Sequence, residues 1–332
     1  MLPLLVAYGV ASSAQTLTFE RTLKGFQLPA YAIPVGGQIL VSEIGNKRVV
    51  FISQDGVEQR VLGNFDHPTG LAATPAGDVF YVGQQGGQGL QMVGAADGQT
   101  TSQVGAGSRD STDFIDSGLG VVVGGGMAFV ADVSGYRVQA FDAALTRHIF
   151  TIDQGTLSAE FKASTRCTTK AFDPQKGFQG ASCFNPHGLA WRDSASGGRL
   201  YVADADNDAV LIFNDSGEHL NTIRDPEVFK MPRGVAITPR GRLLIAERTR
   251  VLVLTLRGKL LQTVNVPTAM NMLGIACDSQ QVYIADVTAN AIFVLSIKPP
   301  SKLSIKPPPK LQPSPSRHSE TVEGQKTLEQ EL

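Results

Sequence analysis

Cysteine, histidine and net charge are all scarce in this 332-residue chain. Three cysteines and five histidines show no zinc-finger spacing. Charged residues make up 18% and sum to −1, which argues against the broad positive field that nucleic-acid binding uses, so nucleic acid is not expected as a partner. No apolar run reaches 18 residues, so no transmembrane helix is expected. Two stretches are glycine-rich, residues 83–89 and 124–126. They sit between strand-like runs with no helix following, so they lack the amide-lined helix N-terminus of a phosphate site. No serine nucleophile elbow or dinucleotide fingerprint is present either.

What the chain does have is a repeat. Six times a short apolar run ends in a small residue and then an acid or amide, at Glu43, Gln84, Asp132, Asp204, Glu247 and Asp286. The spacings are 41, 48, 72, 43 and 39 residues, a period near that of a β-propeller blade. About five residues past each acid comes a second β-rich run, such as Val210-Leu211-Ile212-Phe213. Turn glycines follow at Gly56, Gly98, Gly217 and Gly258, where a positive φ is cheap only for glycine. Ahead of each acid lies a leading strand that opens with glycine in four units, as in Pro68-Thr69-Gly70-Leu71-Ala72 and Pro186-His187-Gly188-Leu189-Ala190. With 42% hydrophobic residues, 35 glycines and 18 prolines, the chain suits one large all-β domain and a tail.

The pattern P-x-G-[LIV]-A, then Y-V-A-D, a short polar turn, then R-V with an aromatic a few residues on resembles the NHL repeat, with Pro186 to Phe213 the fullest copy. The resemblance covers residues 15–297 and implies a six-bladed β-propeller. The sixth unit runs from Leu295-Ser296-Ile297 into Lys298-Pro299-Pro300, so its outer strand is missing. The segment from Thr16 to Leu23 fits the gap, and an N-terminal closing strand is predicted, which removes exposed sheet edges.

Residues 298–332 are Pro-rich and then charged without aromatics, and are expected to be a disordered tail serving as a spacer or a docking peptide. Residues 1–14 read either as a secretory signal or as an unordered N-terminus, since Leu2 to Ala11 is apolar but no Lys or Arg precedes it. Localisation stays open between secreted and cytoplasmic. Cys167 and Cys183 fall in an insertion at about 154–183 that stretches the third spacing. They are read either as a disulfide worth about 3 kcal/mol or as two unpaired thiols. Cys277 reads as a small buried residue.

Any ligand chemistry is expected at the channel, on a rim formed where the leading strands begin: Ala30, Thr69, Ser117, His187, Arg233 and Leu273, with the six acid or amide residues close by. The candidate binding set is His187, Arg233, Thr69, Ser117, Asp204 and Glu247. Arg233 and His187 offer donors to a carboxylate or phosphate. The other reading of the acids is structural: they accept turn amides and pair with Arg48, Arg137 and Arg250.

Two enzyme families with similar propellers test this rim. The amidating lyases resemble it in a P-H-S-L-A-type motif, which His187 alone answers. A catalytic zinc needs about three protein ligands. The gluconolactonase and regucalcin-like family resembles it through N-G-I-A-W, where this chain has His187-Gly188-Leu189-Ala190-Trp191, and Arg233 stands at that family's later aspartate position. Both changes remove oxygen ligands of a hard cation. No metal or other cofactor is therefore expected. The leading expectation is a monomeric, non-catalytic scaffold that binds a protein or peptide at the rim. The alternatives are a propeller lyase or lactonase-like hydrolase in the same channel and, from the NHL resemblance alone, a substrate-recognition component for a ubiquitin ligase supplied in trans.

Overall fold

A computed structural model describes residues 15–108, 111–164 and 184–298. The segments 1–14 and 299–332, together with Cys167 and Cys183, lie outside the described residues. Six four-stranded antiparallel sheets follow one another along the chain as six blades. Blade 4 shows the plan: leading strand Pro186–Arg192, then Arg199–Asp204, Ala209–Phe213 and outermost His219–Arg224. The other leading strands are Pro29–Val35, Pro68–Ala73, Gly118–Gly124, Gly234–Ile237 and Met272–Cys277.

Sixth-blade closure follows the predicted route. Thr16–Lys24 pairs antiparallel with Ala291–Lys298, Thr16 opposite Lys298 and Lys24 opposite Ala291, so the strand ends one residue beyond the expected domain boundary. Gln262 of blade 5 fastens it from the side: its Oε1 accepts the Leu17 N–H at 2.9 Å and its Nε2 donates to the Leu17 carbonyl at 2.8 Å.

Each blade is covered by a neighbour on both faces, so its inner strands are buried on both sides and read as continuous apolar runs rather than alternating ones. Every residue of Ala209–Phe213 is buried, whereas outermost His219–Arg224 buries only Ile223. Aromatic pairs lock adjacent blades, as in the edge-on contact of Phe51 and Phe80 at 5.4 Å.

The insertion is more ordered at its start than a loop reading suggests. A short helix, Ala159–Ser164, buries Phe161, which joins Leu157 and Phe184 in the core shared by blades 3 and 4. His219 anchors it. Its Nδ1 accepts the Ser158 N–H at 3.2 Å, and its ring packs on Phe213 and Phe161. His148 bonds Gln139 at 2.8 Å. Both histidines lie on outermost strands, and both are half-buried structural groups.

Two devices hold the ring at its axis. The first is the leading-strand glycine, at Gly70, Gly188, Gly234 and Gly274, and also at Gly120, a fifth copy the motif obscures. A Cβ on Gly188 would meet the Arg233 carbonyl oxygen at 2.7 Å, one on Gly234 the Leu273 oxygen at 2.7 Å, and one on Gly274 the Ala30 oxygen at 2.6 Å. Glycine is needed for this close approach of neighbouring backbones. The second device is the repeated acid. Asp132 Oδ1 accepts the N–H groups of Asp116, Ser117 and Gly135 at 3.0–3.3 Å, and its Oδ2 accepts Arg137 Nε at 3.1 Å. Asp286 takes four amides, from Met270, Asn271, Thr288 and Ala289. Glu43 pairs with Arg48 and Glu247 with Arg250. In every blade the acceptor catches the chain just ahead of the leading strand, satisfying amides that would otherwise be buried without partners.

Substituting Gly188→Ala should cost about 1–3 kcal/mol through overpacking. Asp132→Ala should cost about 3 kcal/mol, since it leaves buried amides and Arg137 without their acceptor. Asp204→Asn, which keeps an acceptor for the Asn185 amide, should cost about 1 kcal/mol or less. Urea denaturation of the three variants checks the order.

Candidate functional site

The leading strands begin with a β-bulge in five blades, where register shifts separate Pro29 from Tyr31, Pro68 from Leu71, Gly118 from Val121, Pro186 from Leu189 and Met272 from Ile275. A bulge re-aims the side chain inside it. The strand pairing sets the equivalent positions as Ala30, Thr69, Leu119, His187, Arg233 and Leu273. Ser117 is not among them. Gly118 pairs with Asp132 as Pro186 pairs with Asp204, so the rim residue of blade 3 is Leu119, two places on. Ser117 instead donates its N–H to Asp132, as Asn185 does to Asp204.

Thr69 is fully buried. Its Oγ1 donates to the Gly83 carbonyl at 3.0 Å and to the Gly118 carbonyl, which staples blade 2 to blade 3. Asp204 and Glu247 are buried as well, with their carboxylates engaged. Asp204 accepts the Asn185 N–H at 3.1 Å and Asn207 Nδ2 at 2.8 Å. Glu247 accepts the Lys230 N–H at 2.6 Å and Arg250 Nε. Burial pushes Asp204 up to about 7 against those donors. Of the six candidate residues, the structure brings only His187 and Arg233 together as a pair with unengaged atoms.

Apolar residues of the other blades flank that pair. Ala30, Leu119 and Leu273 belong to one hydrophobic cluster, with Ile44, Val133 and Val287, each following its blade's acid, packed against it. In blade 5 the residue after the acid is Arg248, whose charge reaches Arg233. Arg233 donates to Asn271 Oδ1, and Arg248 Nε donates to the Met270 carbonyl at 3.0 Å. Neither arginine has a carboxylate partner among the described residues. Arg233 Nε and His187 Nδ1 are buried without a hydrogen-bond partner. Arg248 and Asn271 were not anticipated from the sequence. The signal for Arg248 was its place directly after an acid, since that place faces the mouth.

Burial pulls His187 down to about 4, and the Arg233 charge acts in the same direction. The imidazole is therefore neutral at pH 7. Burial also lowers Arg233 from its ordinary value, with Arg248 contributing. No three His, Cys, Asp or Glu side chains come together as a metal-binding group among the described residues. The donor set does not fit a hard cation or a zinc ion, because the carboxylates of Asp204 and Glu247 are already engaged and His187 stands beside two arginines.

The channel opens again at the other end. Beyond Tyr31, the leading strands of all six blades enclose a cavity of about 490 Å³ that shares no residue with the His187 mouth. Cys277, at the end of its leading strand, is half-buried on the cavity wall, and burial pushes its thiol up to about 12.

No protein-family model and no curated protein sequence matches the chain, so the resemblance to NHL repeats rests on its motifs alone. Solved structures match in fold. A protein of unknown function from Bacteroides thetaiotaomicron aligns at 16% identity over 86% of this chain and 76% of that one, with a TM-score of 0.62. A gluconolactonase from Xanthomonas campestris aligns at 16% identity over 86% and 90% of the two chains, with a TM-score of 0.59. A streptogramin B lyase aligns at 12% identity over 86% and 98%, with a TM-score of 0.57. At these identities the shared property is the six-bladed propeller.

The histidine generates a pH prediction. A folded value near 4 against an ordinary 6.5 means its contribution is complete above pH 6.5 and is lost as pH falls toward 4. After discounting for partial exposure the loss is about 2 kcal/mol. The stability of the wild type minus that of His187→Gln should therefore fall by about this amount between pH 7 and pH 4, as read by urea midpoints. Parallel pH curves would refute a buried neutral His187. The difference cancels the opposite contribution of Asp204, whose raised value favours the folded state on acidification.

Proposed function

We propose that this protein is a non-catalytic binding propeller whose partner presents an acidic segment bearing apolar side chains to the mouth at His187, Arg233 and Arg248. The observation that carries this reading is the pairing of two arginines lacking carboxylate partners with three exposed apolar side chains from consecutive blades. Leu28, Met231 and Met270 are 44, 45 and 51% exposed, and each lies one to three residues ahead of the leading strand of blade 1, 5 or 6. Met231 touches Arg233, and Met270 supplies the carbonyl that holds Arg248.

The apolar side chains are held in place by the backbone. Leu28 and Met231 have φ of 49° and 52°, a left-handed conformation disfavoured for large side chains. Their N–H groups are caught by Asn290 Oδ1 at 2.7 Å and Asp208 Oδ1 at 2.6 Å. Local strain of this kind persists where surrounding contacts over-determine it, and it concentrates at functional sites. A carboxylate arriving at the mouth gains charge-assisted hydrogen bonds, while Leu28, Met231 and Met270 gain burial.

The rival reading is a propeller enzyme that uses neutral His187 as a base beside Arg233. It draws on the unpaired Nδ1, but the two candidate carboxylates, Asp204 and Glu247, are engaged in the scaffold and leave no second proton-transfer group in the pair.

Selection of random twelve-residue peptides displayed on phage tests the proposal. Recovered sequences should be enriched in Asp or Glu together with Leu, Met or Phe. Binding should weaken as salt rises, and Arg233→Gln with Arg248→Gln should weaken it at least about tenfold without changing the thermal midpoint. Recovery of no acidic-apolar sequence, or equal binding by the double variant, would overturn it.

A further inference from the structure

The cavity at the far end of the channel has a chemistry of its own. Its walls come from the second half of each leading strand, where small residues such as Ala72, Ala190, Ala236 and Ala276 recur and leave the lumen open. No charged side chain lines it. Four lining side chains bear a polar atom able to hydrogen-bond, and three of these atoms are engaged within the protein. Thr74 Oγ1 donates to Asp78 at 2.5 Å, Trp191 Nε1 donates to Asp193 at 2.8 Å, and Cys277 Sγ donates to the Ile237 carbonyl at 3.5 Å.

Tyr31 is the fourth. It is only 6% exposed, and it stands where the other blades have glycine, its ring against Gly274 of blade 6. Its backbone N–H donates to Ser42 Oγ at 3.1 Å, but its hydroxyl has no hydrogen-bond partner among the described residues. Burial raises the phenol well above its ordinary value, so the group remains an O–H donor across the physiological range. Tyr31 is one of the residues that line the chamber, and a hydroxyl with no partner in the protein is open to a hydrogen bond from a bound molecule. A volume of about 490 Å³ lies within the range of small-molecule sites.

We infer that this chamber is a binding site for a neutral, largely apolar small molecule carrying one carbonyl or hydroxyl group, which Tyr31 anchors. The absence of charged side chains on the wall selects against ions, and Tyr31 offers the one side-chain donor of the wall that is not engaged within the protein. The site shares no residue with the mouth at His187, so each stands or falls separately.

The chain supplies its own reporter, because its single tryptophan, Trp191, is part of the wall. The test compares benzophenone with diphenylmethane, two neutral molecules of similar shape that differ at the carbonyl, by titrating Trp191 emission in the full chain. Both should bind, with benzophenone about fivefold tighter, the ratio one hydrogen bond supplies. Tyr31→Phe should remove that preference and leave diphenylmethane binding unchanged. Ala236→Leu, which fills the lumen, should weaken both ligands while far-ultraviolet circular dichroism stays unaltered. Failure of either ligand to bind below about 1 mM in the wild type, where chamber burial should give at least 4 kcal/mol, would overturn the inference. So would equal affinities in the wild type, or a carbonyl preference that survives in Tyr31→Phe.

Discussion

The close approach of six backbones around one axis is the constraint on which the rest of this molecule depends. At Gly188 and Gly234 the next blade's carbonyl leaves no room for a Cβ, so the innermost strands must be glycine there. Everything wide or polar is displaced from that contact to the two ends of the strands. At the starts, His187 in its bulge and Arg233 at the head of the next leading strand form a mouth; at the other ends, recurrent alanines leave a chamber. Blade 1 departs from the rule, with Tyr31 where its neighbours have glycine. Its ring occupies space over Gly274 that a side chain there would claim.

The acids answer a different need. A chain crossing from one blade's outer edge to the next blade's centre brings several amides out of water at once. One acceptor per blade takes them up. The solution varies with what lies beside it: an arginine in blades 1, 3 and 5, Asn207 in blade 4 and turn amides in blade 6. Because these carboxylates serve the scaffold, they are not free to neutralise Arg233 and Arg248 or to assemble a metal site. The electrostatic character of the mouth is thus a consequence of how the ring is held together.

Much of this could be read along the chain because a six-fold repeat averages out local noise. The six blades, their leading strands and the closing strand Thr16–Lys24 were all legible from period and motif. The blade 3 rim was not: without the P-x-G signature, counting back from Asp132 points to Ser117, while the bulge and pairing register make Leu119 the true equivalent. His219 shows no sign of its covering in its own strand, since the helix that covers it comes from sixty residues earlier. Thr69 looked like a rim donor for the same reason, since a sequence cannot show that the carbonyls of Gly83 and Gly118 lie within its reach.

The sequence by itself determined the architecture: repeated apolar runs, turn glycines and one acid per unit leave few ways to bury the strands other than as blades in a ring. Tertiary structure alone decided which polar atoms are free. A carboxylate's availability depends on the amides that reach it, and those ahead of the leading strands come from fifteen to nineteen residues earlier. Arg233, Arg248 and His187 converge from two blades, and Tyr31 meets the chamber only because the ring closes blade 6 onto blade 1. Such convergence is a property of closure in space, and no local pattern along the chain encodes it.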